Sequence, residues 1–136
     1  MKQPLLTPAA AERAALRRWL AVDAEHATLA VCHGLYSPKD ALHFLITCGL
    51  YQAERAGMSE DMGRSVAVSL FWDVLGQHEA RFTKVRWEIV EAAKLSLKNA
   101  PKDYRAAGIA AAAIARANHA PPDLVSFGLR MAARTV

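Results

Sequence analysis

Cys32, His33, His43 and Cys48 are the side chains of this sequence best suited to coordination chemistry. They fall on two successive helical stretches, and an antiparallel pair of helices could bring all four together with ligand types that suit zinc. Their spacing, with or without His26 two turns before His33, matches no compact finger pattern. No Glu-x-x-His pair exists for a carboxylate di-metal centre either. Cysteine is common in cores, and histidine often bonds a backbone carbonyl. No metal ligand and no cofactor are therefore assigned. A metal or small-molecule sensor around Cys32–Cys48 stands as a third reading of function.

Catalytic groupings are sparser. His78 and Glu79 are adjacent titratable residues, but neighbours on a helix point about 100° apart and do not face each other. Ser65, Ser69 and Ser96 lack the Gly-x-Ser-x-Gly elbow that presents a nucleophile. The seven glycines are scattered singly, so no phosphate-binding loop is present. The sequence does not read as an enzyme.

Two groups of residues suit recognition instead. Trp19 follows Arg17-Arg18, Trp72 lies beside Phe71, and Trp87 stands between Arg86 and Glu88. Trp72 and Trp87 fall off the apolar seam of their helices, and half-exposed tryptophan near arginine is typical of interface hot spots. Trp19, Trp72, Trp87 and Arg86 are thus the candidate partner-binding residues; the plainer role for the tryptophans is to cover a neighbouring helix. The second group is cationic. Residues 1–97 carry equal numbers of basic and acidic side chains, so the net charge of +4 belongs to residues 98–136. Lys102, Arg116, Arg130 and Arg134 are its candidate nucleic-acid contacts, although so mild an excess also suits an ordinary solvated surface.

The run from Ile114 through Arg116-Ala117-Asn118-His119-Ala120-Pro121-Pro122-Asp123-Leu124-Val125 to Ser126 resembles the helix-turn-helix unit of bacterial repressors. The resemblance covers about a seventh of the chain, within residues 112–130. It implies that Ile114, Ala115, Ala120 and Val125 pack inward, and that the second helix presents Asp123, Leu124, Phe127 and Arg130 to a major groove. Asn118-His119 replaces the usual turn glycine, and Gly128 stands where an apolar contact belongs. A helical hairpin with a proline-capped second helix is the plainer reading.

The elements that must position these residues are written in punctuation. Thr7-Pro8 and Ser37-Pro38 each place a capping hydroxyl before a proline at the first helical position. Gly34 and Gly57 mark helix ends. Ala41 to Tyr51 is apolar on nearly every side, which predicts a helix at the centre of the bundle with Leu42, Leu45, Ile46 and Leu50 largely inside. From Ser59 an apolar seam (Met62, Val66, Leu70, Val74, His78, Phe82, Val85, Ile89, Ala93) continues to about Asn99, with Gly76-Gln77 the expected break if it is two helices. Asp103 to Ala117 and Asp123 to Arg134 complete the set. No segment alternates as a strand does. The fold class is all-α, a compact bundle of five to six helices forming one domain over residues 1–136.

Composition bounds the rest. A hydrophobic content of 53% with 22% charged residues describes a folded chain with a buried core, not a disordered one. The longest apolar stretch, Ala106 to Ala115, is too short to span a bilayer. Met1-Lys2-Gln3-Pro4 leads into no secretory h-region, so the expected location is cytoplasmic, with both cysteines as free thiols. The expected function is a non-enzymatic helical interaction module, an adaptor or inhibitor that docks on a protein partner or on itself, of a kind often encoded on plasmids and phages. A DNA-binding regulator using residues 112–130 is the alternative. No membrane partner is expected.

Overall fold

The computed structural model describes residues 7–135, so the reading of Met1 to Pro4 lies outside the described residues. Among the described residues the fold is all-α, with five packed helices: α1 (Pro8–Cys32), α2 (Pro38–Arg55), α3 (Glu60–Asn99), α4 (Tyr104–Ala117) and α5 (Asp123–Thr135). There is no strand among the described residues. None of these helices is long and apolar enough to cross a membrane.

The expected caps form. The Thr7 hydroxyl accepts from Ala10 N–H at 3.1 Å, Ser37 from Asp40 N–H at 3.1 Å, and Asp103 from Ala106 N–H at 3.0 Å. Three helices end alike. Leu35 N–H returns to Ala30, Met58 to Ala53 and Ala120 to Ala115, each over a residue in the left-handed region. Glycine takes that place at Gly34 (φ 73°) and Gly57 (φ 71°), and His119 (φ 52°) takes it after α4. The Asn118-His119 turn therefore does close like a glycine turn, with histidine as the left-handed residue.

The apolar seam from Ser59 to Asn99, readable as one helix or two, forms one. α3 does not break at Gly76-Gln77; it runs unbroken from Glu60 to Asn99. A lone helical glycine costs about 1 kcal/mol relative to alanine and removes no hydrogen bond, too little to end a helix packed on both sides of it. The junction is still real in another sense. The chain divides into two compact units at that place, residues 1–77 and 78–136.

In the first unit α1, α2 and the first half of α3 enclose Leu16, Leu20, Leu45, Phe71 and Leu75. α1 runs parallel to α3, with Arg13 reaching Ser65 and Arg17 reaching Ser69 and Asp73, the last at 3.0 Å. α2 runs antiparallel to α3 and buries one stripe, Ala41, Leu45, Gly49 and Ala53. Gly49 meets Gly63 backbone to backbone: a Cβ on either would lie 2.6 Å from the other's carbonyl oxygen.

α2 is thus not the all-round buried helix its composition suggests. Of the four residues expected inside, only Leu45 is buried, while Leu42, Ile46 and Leu50 are half-buried. Phe44 is 50% exposed and Tyr51 56%. Close approach through small residues leaves the large ones outside.

In the second unit the rest of α3 packs Phe82, Val85, Ile89, Val90, Ala93 and Leu97 inward. α4 buries Ala107, Ala111 and Ala115, and α5 buries Leu124, Gly128 and Ala132. Gly128 admits α5 to α3, because a Cβ there would run into Ile89 Cγ2. His78 is buried and stacks on Phe82 with ring centroids 6.0 Å apart.

Candidate functional site

The outer faces of α1 and α2 carry the most organised set of recognition groups. On α1, Trp19, Asp23 and His26 recur at i, i+4 and i+7, which places them on one face. On α2, Phe44, Cys48, Tyr51 and Arg55 recur at the corresponding spacing, beside the buried stripe rather than on it.

Three juxtapositions join the two rows. Trp19 lines a shallow cavity of about 480 Å³ with Gln52, Arg55 and Ala56. One turn on, Asp23 is close enough to Cys48 for its charge to act on the thiol. Further on, His26 and Ala27 face Asp40, Ala41 and Phe44 across a second cavity of about 320 Å³, which Tyr36 closes from the connecting turn. The furrow is the surface of this antiparallel helix pair from one cavity to the other, with aromatic side chains at both ends.

Its electrostatics are uneven. Neither Asp23 nor Asp40 makes an ion pair among the described residues, and Asp40 sits in the first turn of α2, where the helix dipole favours a carboxylate. At the other end the Arg55 guanidinium lies 5.6 Å from the Tyr51 ring centroid and donates to the Tyr51 hydroxyl at 3.5 Å. Partial burial, and then the Asp23 carboxylate, hold the Cys48 thiol above its ordinary range, against a lowering effect of its own backbone. A thiol kept protonated is a poor nucleophile and a poor metal ligand. Among the described residues no three His, Cys, Asp or Glu side chains gather as a metal site would require, so Cys32, His33, His43 and Cys48 do not assemble.

Of the expected contact residues, Trp19 stands in the furrow. Trp72 is 52% exposed, edge-on to Phe71 at 5.1 Å, and Trp87 is 60% exposed. Arg86 is exposed, but its guanidinium lies 5.0 Å over Phe127, which ties it to α5. Lys102 occupies a left-handed turn position (φ 65°) before α4. Lys102, Arg116, Arg130 and Arg134 are all exposed, and none forms an ion pair among the described residues.

The helix-turn-helix resemblance fares unevenly. Ala115 and Ala120 are buried, as it requires. Leu124 is only 7% exposed and Phe127 is half-buried beneath Arg86, so two of its four reading residues point inward. α5 uses its first turn to hold itself onto the bundle.

Asp23, Tyr36, Asp40, Phe44 and Arg55 were not singled out from the sequence, and His26 was named only beside the coordination candidates. The available signal was the stripe Ala41, Leu45, Gly49, Ala53: small residues at three of its four positions mark the side on which a helix approaches its neighbour, and hence which side it leaves free. Compared with protein-family models, curated proteins and solved structures, the chain finds no match.

Proposed function

We propose that this chain is a non-enzymatic protein-interaction module, an adaptor or inhibitor, that receives an amphipathic helix of a partner protein along the α1–α2 furrow. The observation that carries this reading is the convergence of exposed aromatic side chains on two cavities of one helix pair. Trp19 stands at one end, Tyr36 and Phe44 at the other, with polar groups between them. A groove of this kind suits a helix whose anchors fall at i, i+4 and i+7. Trp72 and Trp87 are further exposed anchors for the same or another partner, and a cytoplasmic setting is part of the proposal. The DNA-binding alternative rests on exposed Arg116, Arg130 and Arg134, and it is weakened by the burial of Leu124.

The test sets two groups of variants side by side in partner capture and DNA-binding assays. Trp19→Ala and Phe44→Ala should each weaken partner binding by about 2 kcal/mol or more, as aromatic anchors do. Arg116→Ala with Arg130→Ala should leave it unchanged. DNA binding that falls with salt at a log–log slope of roughly −0.9 per phosphate and needs those arginines would reject the interaction module.

A further inference from the structure

The cavity between His26, Ala27, Tyr36, Asp40, Ala41 and Phe44 has a chemistry more specific than a general apolar groove. Its volume of about 320 Å³ suits a single side chain or a small ligand. Ala27, Ala41 and the Phe44 and Tyr36 rings supply apolar and π surface. Asp40 supplies a full negative charge, and its carboxylate has no hydrogen-bond or ion-pair partner among the described residues. The Ser37 cap engages only the Asp40 backbone N–H, at 3.1 Å.

A purely apolar occupant would crowd the exposed Asp40 carboxylate and offer it no hydrogen bond in return for displaced water. A carboxylate or phosphate would meet Asp40 as a like charge. A divalent metal would need several oxygen ligands, and the cavity offers one carboxylate. The occupant that answers both the aromatic walls and Asp40 is a flat organic cation, and the His26 imidazole completes the lining with a ring nitrogen able to accept a further hydrogen bond. A guanidinium can stack on Phe44 or Tyr36 while donating two parallel hydrogen bonds to a carboxylate.

We propose that this cavity receives an arginine side chain of the docking helix, with Asp40 as its counter-ion and Phe44 and Tyr36 as its stacking walls. The inference rests on the α1–α2 furrow being the docking surface, and it adds polarity to that surface. Asp23 lies one α1 turn further along and would favour a second donor there. Arg55, at the far end of the same furrow, would favour an acidic residue of the partner. The bound helix is therefore basic toward the α1–α2 turn and acidic toward the end of α2.

The experiment uses the full ¹⁵N-labelled chain and three probes: a helical leucine–alanine peptide with one central arginine, the same peptide with citrulline in its place, and free arginine amide. Citrulline keeps the shape of arginine and removes the charge. The arginine peptide should shift the amides of Ala27, Tyr36, Asp40, Ala41 and Phe44, and should bind about tenfold or more tightly than the citrulline peptide. Asp40→Asn should erase that difference while circular dichroism shows the helices intact.

Equal binding of the two peptides, or no binding by either, would overturn the proposal. Shifts confined to Trp19, Gln52 and Arg55 would do the same while leaving the docking surface standing. Free arginine amide binding as tightly as the peptide would replace a partner helix by a small ligand. Self-association lost in Asp40→Asn would replace it by a second copy of the chain. Loss of partner capture in Trp19→Ala with no arginine preference would separate failure of this inference from failure of the docking reading.

Discussion

The two compact units bring helices together with small residues, but they dispose of their large ones differently. In residues 7–77 the Gly49–Gly63 crossing lets α2 approach α3, while aromatic side chains of α1, α2 and the turn between them line two cavities of the α1–α2 pair. In residues 78–135 the work is done by Ala107, Ala111, Ala115 and Gly128. There the exposed large residues, Trp87, Leu95, Tyr104 and Ile109, are spread over separate turns of α3 and α4. Exposed apolar surface is thus common to both units, while convergence is found in the first. The first unit also has nearly balanced charge, whereas the cationic excess lies in the second. The lesson is that an exposed tryptophan is weak evidence for a site until a second element meets it.

The sharpest way to break this account of the first unit is to measure α2 face by face. Leu45→Ala should cost about 2–5 kcal/mol, the range for a fully buried leucine. Ile46→Ala, on the half-buried side, should cost clearly less when both are compared by urea denaturation. Equal losses would restore α2 to the centre of the bundle and close the furrow.

The glycine contacts give the next largest effects. Gly49→Ala should destabilise by about 1–3 kcal/mol, since the new methyl meets a backbone carbonyl that cannot rotate away. Gly128→Ala should cost at least as much, because its obstacle, Ile89 Cγ2, sits on the Cβ of a fully buried β-branched side chain with little rotamer freedom in a helix. A clearly smaller loss at Gly128 would show that the second unit has the looser helix contact.

Gly76 sharpens the same point with the opposite sign. A Cβ there meets nothing within 4 Å, so Gly76→Ala should raise stability by roughly 0.5–1 kcal/mol through helix propensity alone. A loss of stability would mean that α3 needs a bend there.

The smallest effect concerns Cys48. Its thiol pKa is raised in the folded protein by burial and by Asp23. Folding therefore favours the protonated thiol, and this contribution is lost as pH rises through the folded-state value. In a Cys32→Ser background, alkylation of Cys48 should begin at higher pH than for free cysteine, and Asp23→Asn should move the profile part-way back. An unshifted profile would remove Asp23 from the middle of the furrow.

Much of the fold was legible because its signals are local. Thr7-Pro8, Ser37-Pro38 and Asp103 define where helices begin through bonds to backbone three residues on, and Gly34 and Gly57 define where two of them end. Helical class, helix boundaries and charge asymmetry follow from residues read a few at a time.

What the sequence could not decide was non-local. Whether α3 breaks at Gly76 depends on packing along forty residues, not on one glycine. Which side of α2 is buried depends on Gly63 of another helix, because hydrophobicity all round Ala41–Tyr51 points in no direction until a neighbour arrives. The furrow joins residues from Trp19 to Arg55 that are apart in the chain. Only the antiparallel packing of α1 on α2 sets His26 against Asp40 and Trp19 against Arg55.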